Sequence, residues 1–274
     1  MIKFTVITVT YNAAEVFKRT ADSVLAQTYR NVEHLIIDGA SADRTLEMAS
    51  VYKMCSDATA IGHTVIIKSE PDKGLYDAMN KGIGMATGSY VCFLNAGDFF
   101  PSSDTLETVA SNIDEQEIEE GWKDLPAVLY GDTDVTDNEG RFLCHRRLAP
   151  PEVLTWRSFR EGMLVCHQAF YARTDIARRI TYDMRYRHSA DVDWCIRIMK
   201  EAELLGLELL NVHAVVACYQ REGQTTRYHR ASLVERFRIM CCYYGTWQTL
   251  VMHVWFVLRL VLRRGRSGRS VCEK

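Results

Sequence analysis

The stretch from Tyr90 to Phe100, YVCFLNAGDFF, sets an apolar run against a polar tetrapeptide, Asn95-Ala96-Gly97-Asp98. A carboxylate fixed where a strand stops, yet open to a ligand, suits the binding of a hard cation and phosphate oxygens. Asp, Asn and Gly also end strands as plain turn residues, so Asp98 alone could simply cap a turn. Three further clusters have the same character: Thr10-Tyr11-Asn12, Asp38-Gly39-Ala40-Ser41 and Glu70-Pro71-Asp72-Lys73-Gly74. Each alone reads as a turn; four on one sheet edge would converge on one crevice. Farther along, RHSADVDWCIRI places Asp191 and Asp193 at the start of a helical pattern. The helix dipole keeps a carboxylate there ionised, as a general base must be. An ordinary acidic helix start has the same spacing. CHQAF sets His167 and Gln168 inside an apolar run, where a structural histidine is the plain reading. REGQTTR, Arg221 to Arg227, could close over a phosphate or stay a solvated loop.

These clusters need a frame. FTVITVTY, VEHLIID, HTVIIKSE and SYVCFLN are short β-rich runs suited to buried parallel strands. Between them, Val16, Phe17, Thr20, Val24 and Leu25 share one helical face, and SADRTLEMASVYK opens a second helix. Ala78, Met79, Gly82, Ile83 and Ala86 mark a third, and a fourth runs from Thr105 to Ile113. This alternation predicts a mostly parallel sheet covered on both faces, with ligands beyond the carboxyl ends of the strands. The second half reads as two strands joined at Asn138-Glu139-Gly140, a strand in GMLVCHQAFYA, a helix over 191–200 and a strand in LELLNVHAVVACY.

Composition removes several classes. A net charge of −2 gives no signal for nucleic acid. Nine cysteines without a CxxC pair read as reduced thiols in a cytosolic compartment, with no zinc site and no disulfide frame. No small-residue cleavage site stands before Tyr11, so no signal peptide is expected. Absence of GxGxxG and GxxxxGK[ST] counts against dinucleotide dehydrogenases and P-loop enzymes.

The ordered series VITVTYNAAEVFKRTADSVLAQTYRNVEHLIIDGASADRT and SEPDKGLYDAMNKGIGMATGSYVCFLNAGD resembles the family 2 glycosyltransferases over residues 3 to 110. A weaker likeness continues through CHQAFYAR and HSADVDWCIRI to Tyr219. The resemblance implies an α/β fold of GT-A type: a doubly wound, mostly parallel, Rossmann-like sheet with a C-terminal helical tail. It implies sugar transfer, with inversion, from a nucleotide diphosphate to a hydroxyl of a saccharide or lipid-linked saccharide. Val9, Thr10, Tyr11 and Asn12 would border the base and ribose, and Asp38 would accept hydrogen bonds from the base, typically uracil. Asp72, Lys73 and Asp77 would meet the nucleotide and donor sugar, as would Asn95. Asp98 would hold Mg²⁺ or Mn²⁺, Asp191 would be the base, and His167 and Gln168 would border donor sugar or acceptor. The common form of the metal motif is Asp-x-Asp-Asp, whereas this chain has Asn95, Ala96, Gly97 and Asp98, so the metal expectation rests on Asp98. That depletion also motivates a second reading, a nucleotide-sugar binding protein without catalysis. A sugar-nucleotide pyrophosphorylase is a third; TYNAAEVFKR lacks the glycine-rich loop it would need.

Residues 1–225 are expected to form the catalytic domain, with a nucleotide-sugar half over 1–113 and an acceptor half over 114–225. Residues 226–274 form a helical, basic tail. Its run from Leu250 to Leu262 is too short to span a bilayer. It is expected either to pack on the domain or to lie in a membrane interface, with Trp247 and Trp255 at headgroup depth and arginines on anionic lipid. The location that follows is cytoplasmic, extended by peripheral attachment to the inner face of the membrane.

Overall fold

The computed structural model describes residues 2–59, 61–113, 125–221 and 229–264, with side chains to 255. Four strands form its parallel half: β1 (Phe4–Thr10), β2 (Val32–Asp38), β3 (Thr64–Ser69) and β4 (Tyr90–Phe93). β1 pairs with β2 and β4, and β2 with β3, all parallel. Every residue of β1 and β2 is buried, which explains their unbroken rather than alternating apolar character. Helices α1 (Ala14–Leu25), α2 (Thr45–Ala58) and α3 (Leu75–Met85) make the crossovers, and α4 (Thr105–Ser111) follows β4. α1 turns Phe17, Thr20, Ala21 and Val24 inward.

The second half joins through antiparallel pairs. β5 (Val128–Thr136) and β6 (Phe142–His145) form the expected hairpin around Asn138-Glu139-Gly140. β7 (Phe170–Arg173) pairs antiparallel with both β4 and β5, and β8 (Leu209–Gln220) runs parallel to β5. The strand predicted over GMLVCHQAFYA shrinks to β7 alone, preceded by one tight turn, His167–Ala169. Arg146 is the physical reason. Its guanidinium donates to the carbonyls of Leu148, Met163 and Leu164, taking acceptors that a neighbouring strand would use. Met163 and Val165 are buried all the same, so their apolar character serves packing rather than a ladder.

Helices α5 (Thr174–Arg179), α6 (Ala190–Leu205), α7 (His229–Tyr244) and α8 (Thr246–Arg264) complete the order. α6 outruns the predicted 191–200 at its far end. Ile239, Met240 and Tyr244 of α7 belong to the same buried cluster as the central strands. Among the described residues seven cysteines are free. Cys144 on β6 is disulfide-bonded, which corrects the expectation of nine thiols at that residue. Linear spacing says nothing about which sulfur meets which in space.

Candidate functional site

Because β1 to β4 are parallel, their carboxyl ends share one edge. β7 runs the other way beside β4, so the turn before it, His167–Ala169, reaches the same edge. The four polar clusters therefore meet there, together with His167 and Gln168.

On the β1 and β2 side, Val9 and Thr10 are buried strand residues, whereas Tyr11 is 68 % exposed. An exposed aromatic ring at a crevice mouth offers a face for stacking. Asn12 adopts φ 48° and accepts from the Ala42 N–H at 2.9 Å, which curls the loop. Asp38 is buried and fully engaged. It accepts from the Thr10 and Ser69 hydroxyls at 2.9 and 2.8 Å, and from the Ser41 amide at 2.9 Å and the Ser41 hydroxyl. Burial alone would raise its pKa, but these donors more than offset that and lower it. Asp38 thus ties three strand ends together, and a bound base would have to replace one of those donors. Asp72 accepts from the Gly74 N–H at 2.8 Å and packs against Gly39, where a Cβ would collide with its carboxylate. Asp77 accepts the Lys73 N–H at 3.0 Å at the start of α3 and faces Lys81.

The turn after β4 is held from two sides. Asp98 N–H donates to the Asn95 carbonyl at 2.9 Å. The Thr20 hydroxyl on α1 donates to the Asp98 carbonyl at 2.7 Å and accepts from Gly97 N–H at 2.8 Å. Gly97 has φ 101°, and a Cβ there would stand 3.0 Å from Gln220, so glycine is required. Phe99 exchanges backbone hydrogen bonds with Cys218 of β8. The Asp98 carboxylate faces inward, 8 % exposed, and accepts from Gln168 Nε2 at 2.9 Å. Burial pushes its pKa up to about 6, against the pull of that hydrogen bond. The Asn95 side-chain oxygen is buried with no hydrogen-bond partner, while its amide nitrogen meets His167 Nε2 at 3.2 Å.

Asp191 sits in the first turn of α6 and is nearly enclosed. The Tyr76 hydroxyl of α3 donates to its Oδ1 at 3.2 Å, and His167 Nδ1 lies 3.6 Å from its Oδ2. Burial would raise its pKa; His167, then Arg236 and Tyr76, outweigh that and hold it below the ordinary carboxylate range. Tyr76 itself stacks on Tyr182, and Tyr182 on Trp194, at 5.2 and 4.8 Å. Asp193 is committed elsewhere, to Arg197 Nε and the Tyr243 hydroxyl, both at 2.7 Å. Glu235 of α7 accepts the N–H groups of Arg187, His188 and Ser189 at 2.8 to 3.0 Å, which fixes the entry to α6.

Consecutive residues of one turn thus reach both acids: His167 faces Asp191 and Gln168 holds Asp98. The plain reading of that histidine as a core residue misses its place between the two. Tyr76, Glu235 and Arg236 also escape sequence reasoning. Tyr76 reads as one more apolar position on a helix face, and the two charges as ordinary surface of a tail helix. Arg227 lies outside the described residues. Chemically, the edge offers one ionised carboxylate suited to proton removal and one buried carboxylate suited to a cation.

A family model described as glycosyl transferase family 2 matches residues 5–120. A PGL/p-HBAD biosynthesis glycosyltransferase of Mycobacterium bovis is 33 % identical over 225 residues, covering 80 % of this chain and 77 % of its own. The amylovoran biosynthesis glycosyltransferase AmsB of Erwinia amylovora is 30 % identical over 240 residues, covering 83 % and 75 %. Among solved structures, S. aureus TarS 1-349 in complex with UDP-GlcNAc superposes with TM-score 0.64 at 18 % identity, covering 87 % of this chain and 64 % of that one. Another TarS structure is matched over only 43 % of its length. The mannosyltransferase PcManGT of Pyrobaculum calidifontis, in complex with GDP-Man and Mn2+, superposes with TM-score 0.58 at 16 % identity, covering 98 % and 76 %. The fold is therefore of GT-A type, and with matched motifs, sheet order and relatives in agreement, the chain belongs to the family 2 glycosyltransferases.

Proposed function

We propose that this enzyme is an inverting glycosyltransferase that moves a sugar from a UDP-sugar to a hydroxyl of a saccharide or lipid-linked saccharide. The observation that carries this reading is the pair Asp98 and Asp191 on one sheet edge, bridged by His167 and Gln168. Asp191 removes the acceptor hydroxyl proton. The oxygen then attacks the anomeric carbon from the face opposite the diphosphate, and the bond to the diphosphate breaks with its electron pair leaving on the nucleotide. Tyr76 and His167 keep Asp191 ionised and aimed. Tyr11, Asp72 and Lys73 border the nucleotide. The relatives named for PGL/p-HBAD and amylovoran biosynthesis support surface polysaccharide or glycolipid assembly as the setting.

The residues present fit a divalent cation, Mg²⁺ or Mn²⁺. Asp98 supplies one buried carboxylate, and Asn95 an orphaned buried oxygen in the same turn. Among the described residues no group of three His, Cys, Asp or Glu surrounds a common point, so diphosphate and water oxygens would complete the shell. When bound, the cation neutralises charge developing on the departing diphosphate. A thermal-shift series with UDP-, GDP- and dTDP-sugars plus Mn²⁺ tests the donor. UDP-sugars should give the largest rise in melting temperature; a larger rise with GDP-sugars would sink the UDP assignment.

We further propose that α8 rests on a membrane surface. Trp247, Leu250, Val251, Val254 and Trp255 are exposed at helical spacing, with Trp247 77 % open. Residues 246–274 carry six Lys or Arg against one Glu in a chain of net charge −2. Among the described residues no helix is long and apolar enough to cross a bilayer. The full chain should sediment with vesicles containing phosphatidylglycerol, and deletion from Trp247 onward should release it. Undiminished sedimentation after that deletion would refute the assignment.

A further inference from the structure

A cavity of about 480 Å³ opens on the edge of the sheet opposite the catalytic crevice. β7 lies antiparallel between β4 and β5, and β8 runs parallel to β5, so β8 starts at the edge where β1 to β4 also start. Leu209, Leu210 and Asn211 of β8 line the cavity there. α6 begins with Asp191 at the catalytic edge and reaches the cavity with Met199 and Glu203. None of the lining residues takes part in the proposed sugar transfer. The floor is apolar: Leu154 and Met199 are buried in the main core, and Leu207 and Leu209 pack against it. The Trp156 ring forms one wall. It is held there by stacking on Tyr244 at 5.7 Å and by donating its Nε1–H to Glu203 at 2.6 Å.

The rim carries one sign of charge. Glu152, Glu203, Glu208 and His213 line the cavity, and among the described residues no Lys or Arg does. Arg157 balances Glu203, and Arg157 and Lys200 both lie over the Trp156 ring, at 4.4 and 5.1 Å. Glu152 faces only His213, at 3.5 Å. Among the described residues no hydrogen bond or ion pair engages the Glu208 carboxylate. Its backbone is nevertheless fixed, because the Glu208 carbonyl accepts the Ala127 N–H at 2.8 Å. Glu152 and Glu208 also act at a common point: burial first, and then their two charges, push the Tyr130 phenol up to about 12.

A cavity of this size suits a small organic molecule, with apolar walls supplying contact area and a few polar groups fixing its orientation. Two carboxylates without a Lys or Arg partner repel an anion and attract a cation. A bare hard cation would gain nothing from the leucine, methionine and tryptophan surface. We propose that this cavity is a second binding site, for an organic amine with a compact apolar body. The ammonium sits between Glu152 and Glu208, and the body lies on the Leu154 and Leu209 floor beside Trp156. The site is independent of the sugar-transfer chemistry and stands whether or not the donor assignment does.

Calorimetric titration of the full chain with 4-phenylbutylamine, 4-phenylbutanol and 4-phenylbutyrate tests it, because the three share a body and differ in charge. The amine should bind most tightly, the alcohol more weakly and the carboxylate weakest. The double variant Glu152→Gln, Glu208→Gln should weaken the amine about 10-fold or more, the scale of a lost charged hydrogen bond. Its affinity for the alcohol should not change, which also shows that the cavity is intact. Equal affinity for all three probes would overturn the inference, as would a wild type that does not bind the amine. Undiminished amine binding in the double variant would overturn it too, by placing the probe elsewhere on the surface. An equal loss for amine and alcohol would overturn it by showing a damaged cavity rather than a missing charge.

Discussion

Asp191→Asn is expected to reduce sugar transfer about 10²- to 10⁴-fold, the usual contribution of a positioned general base. UDP affinity should be retained, because Asp191 faces Tyr76 and His167 rather than the strand ends that border the nucleotide. The loss should fall on kcat, since the proton is removed only as the new bond forms. Stability gives an independent reading. The folded carboxyl is held below its ordinary pKa, so its contribution is present at neutral pH and fades as pH falls through the folded value. The Asn variant should therefore melt below wild type at neutral pH, with the gap closing in acid. Transfer that survives the substitution would remove Asp191 from the role of base. Equal, near-zero transfer by wild type and variant with the true acceptor would favour a binding protein.

Asp98→Asn should act on stability in the opposite direction. Burial raises the Asp98 pKa from 3.8 to about 6, so ionised Asp98 strains the folded state by about 2–3 kcal/mol at neutral pH. The linkage sign is fixed. A raised folded pKa contributes stability that is fully present below pH 3.8 and lost as pH rises through about 6. Without ligands, Asp98→Asn should thus melt above wild type at pH 7.5, and the advantage should vanish in acid. The Gln168 contact survives, because an Asn side-chain oxygen accepts the same hydrogen bond. Function should move the other way. Mn²⁺ with UDP should stabilise wild type and leave the variant unmoved, and metal-dependent transfer should disappear. A ligand-free variant that melts below wild type at pH 7.5 would show that Asp98 is not strained; a full response to Mn²⁺ would show that it does not hold the metal.

The parallel half of the fold was legible because burial on both faces leaves unbroken runs such as FTVITVT, and because each run stops in a polar cluster. FLNAGD announced its turn through Gly97, and a φ of 101° is what that glycine serves. The antiparallel side was harder to read. GMLVCHQAFYA has strand composition, yet a single arginine 17 and 18 residues back takes the carbonyls of Met163 and Leu164, and no local pattern records that. The same limit hid how the site is assembled. Asp38 was marked by its place after a strand, but its saturation by Thr10, Ser41 and Ser69 depends on three strands meeting. Tyr76 and Asp191 are 115 residues apart and meet through a hydrogen bond that neither segment foreshadows.

The grip of Glu235 on the entry to α6 bears on the order in which the enzyme comes to life during synthesis. The nucleotide half emerges from the ribosome first, and chains grow at roughly 5–20 residues per second. The start of α6 stays untethered until α7 has cleared the exit tunnel. Asp191 therefore gains its fixed setting only when α7 docks, long after the four parallel strands have been made.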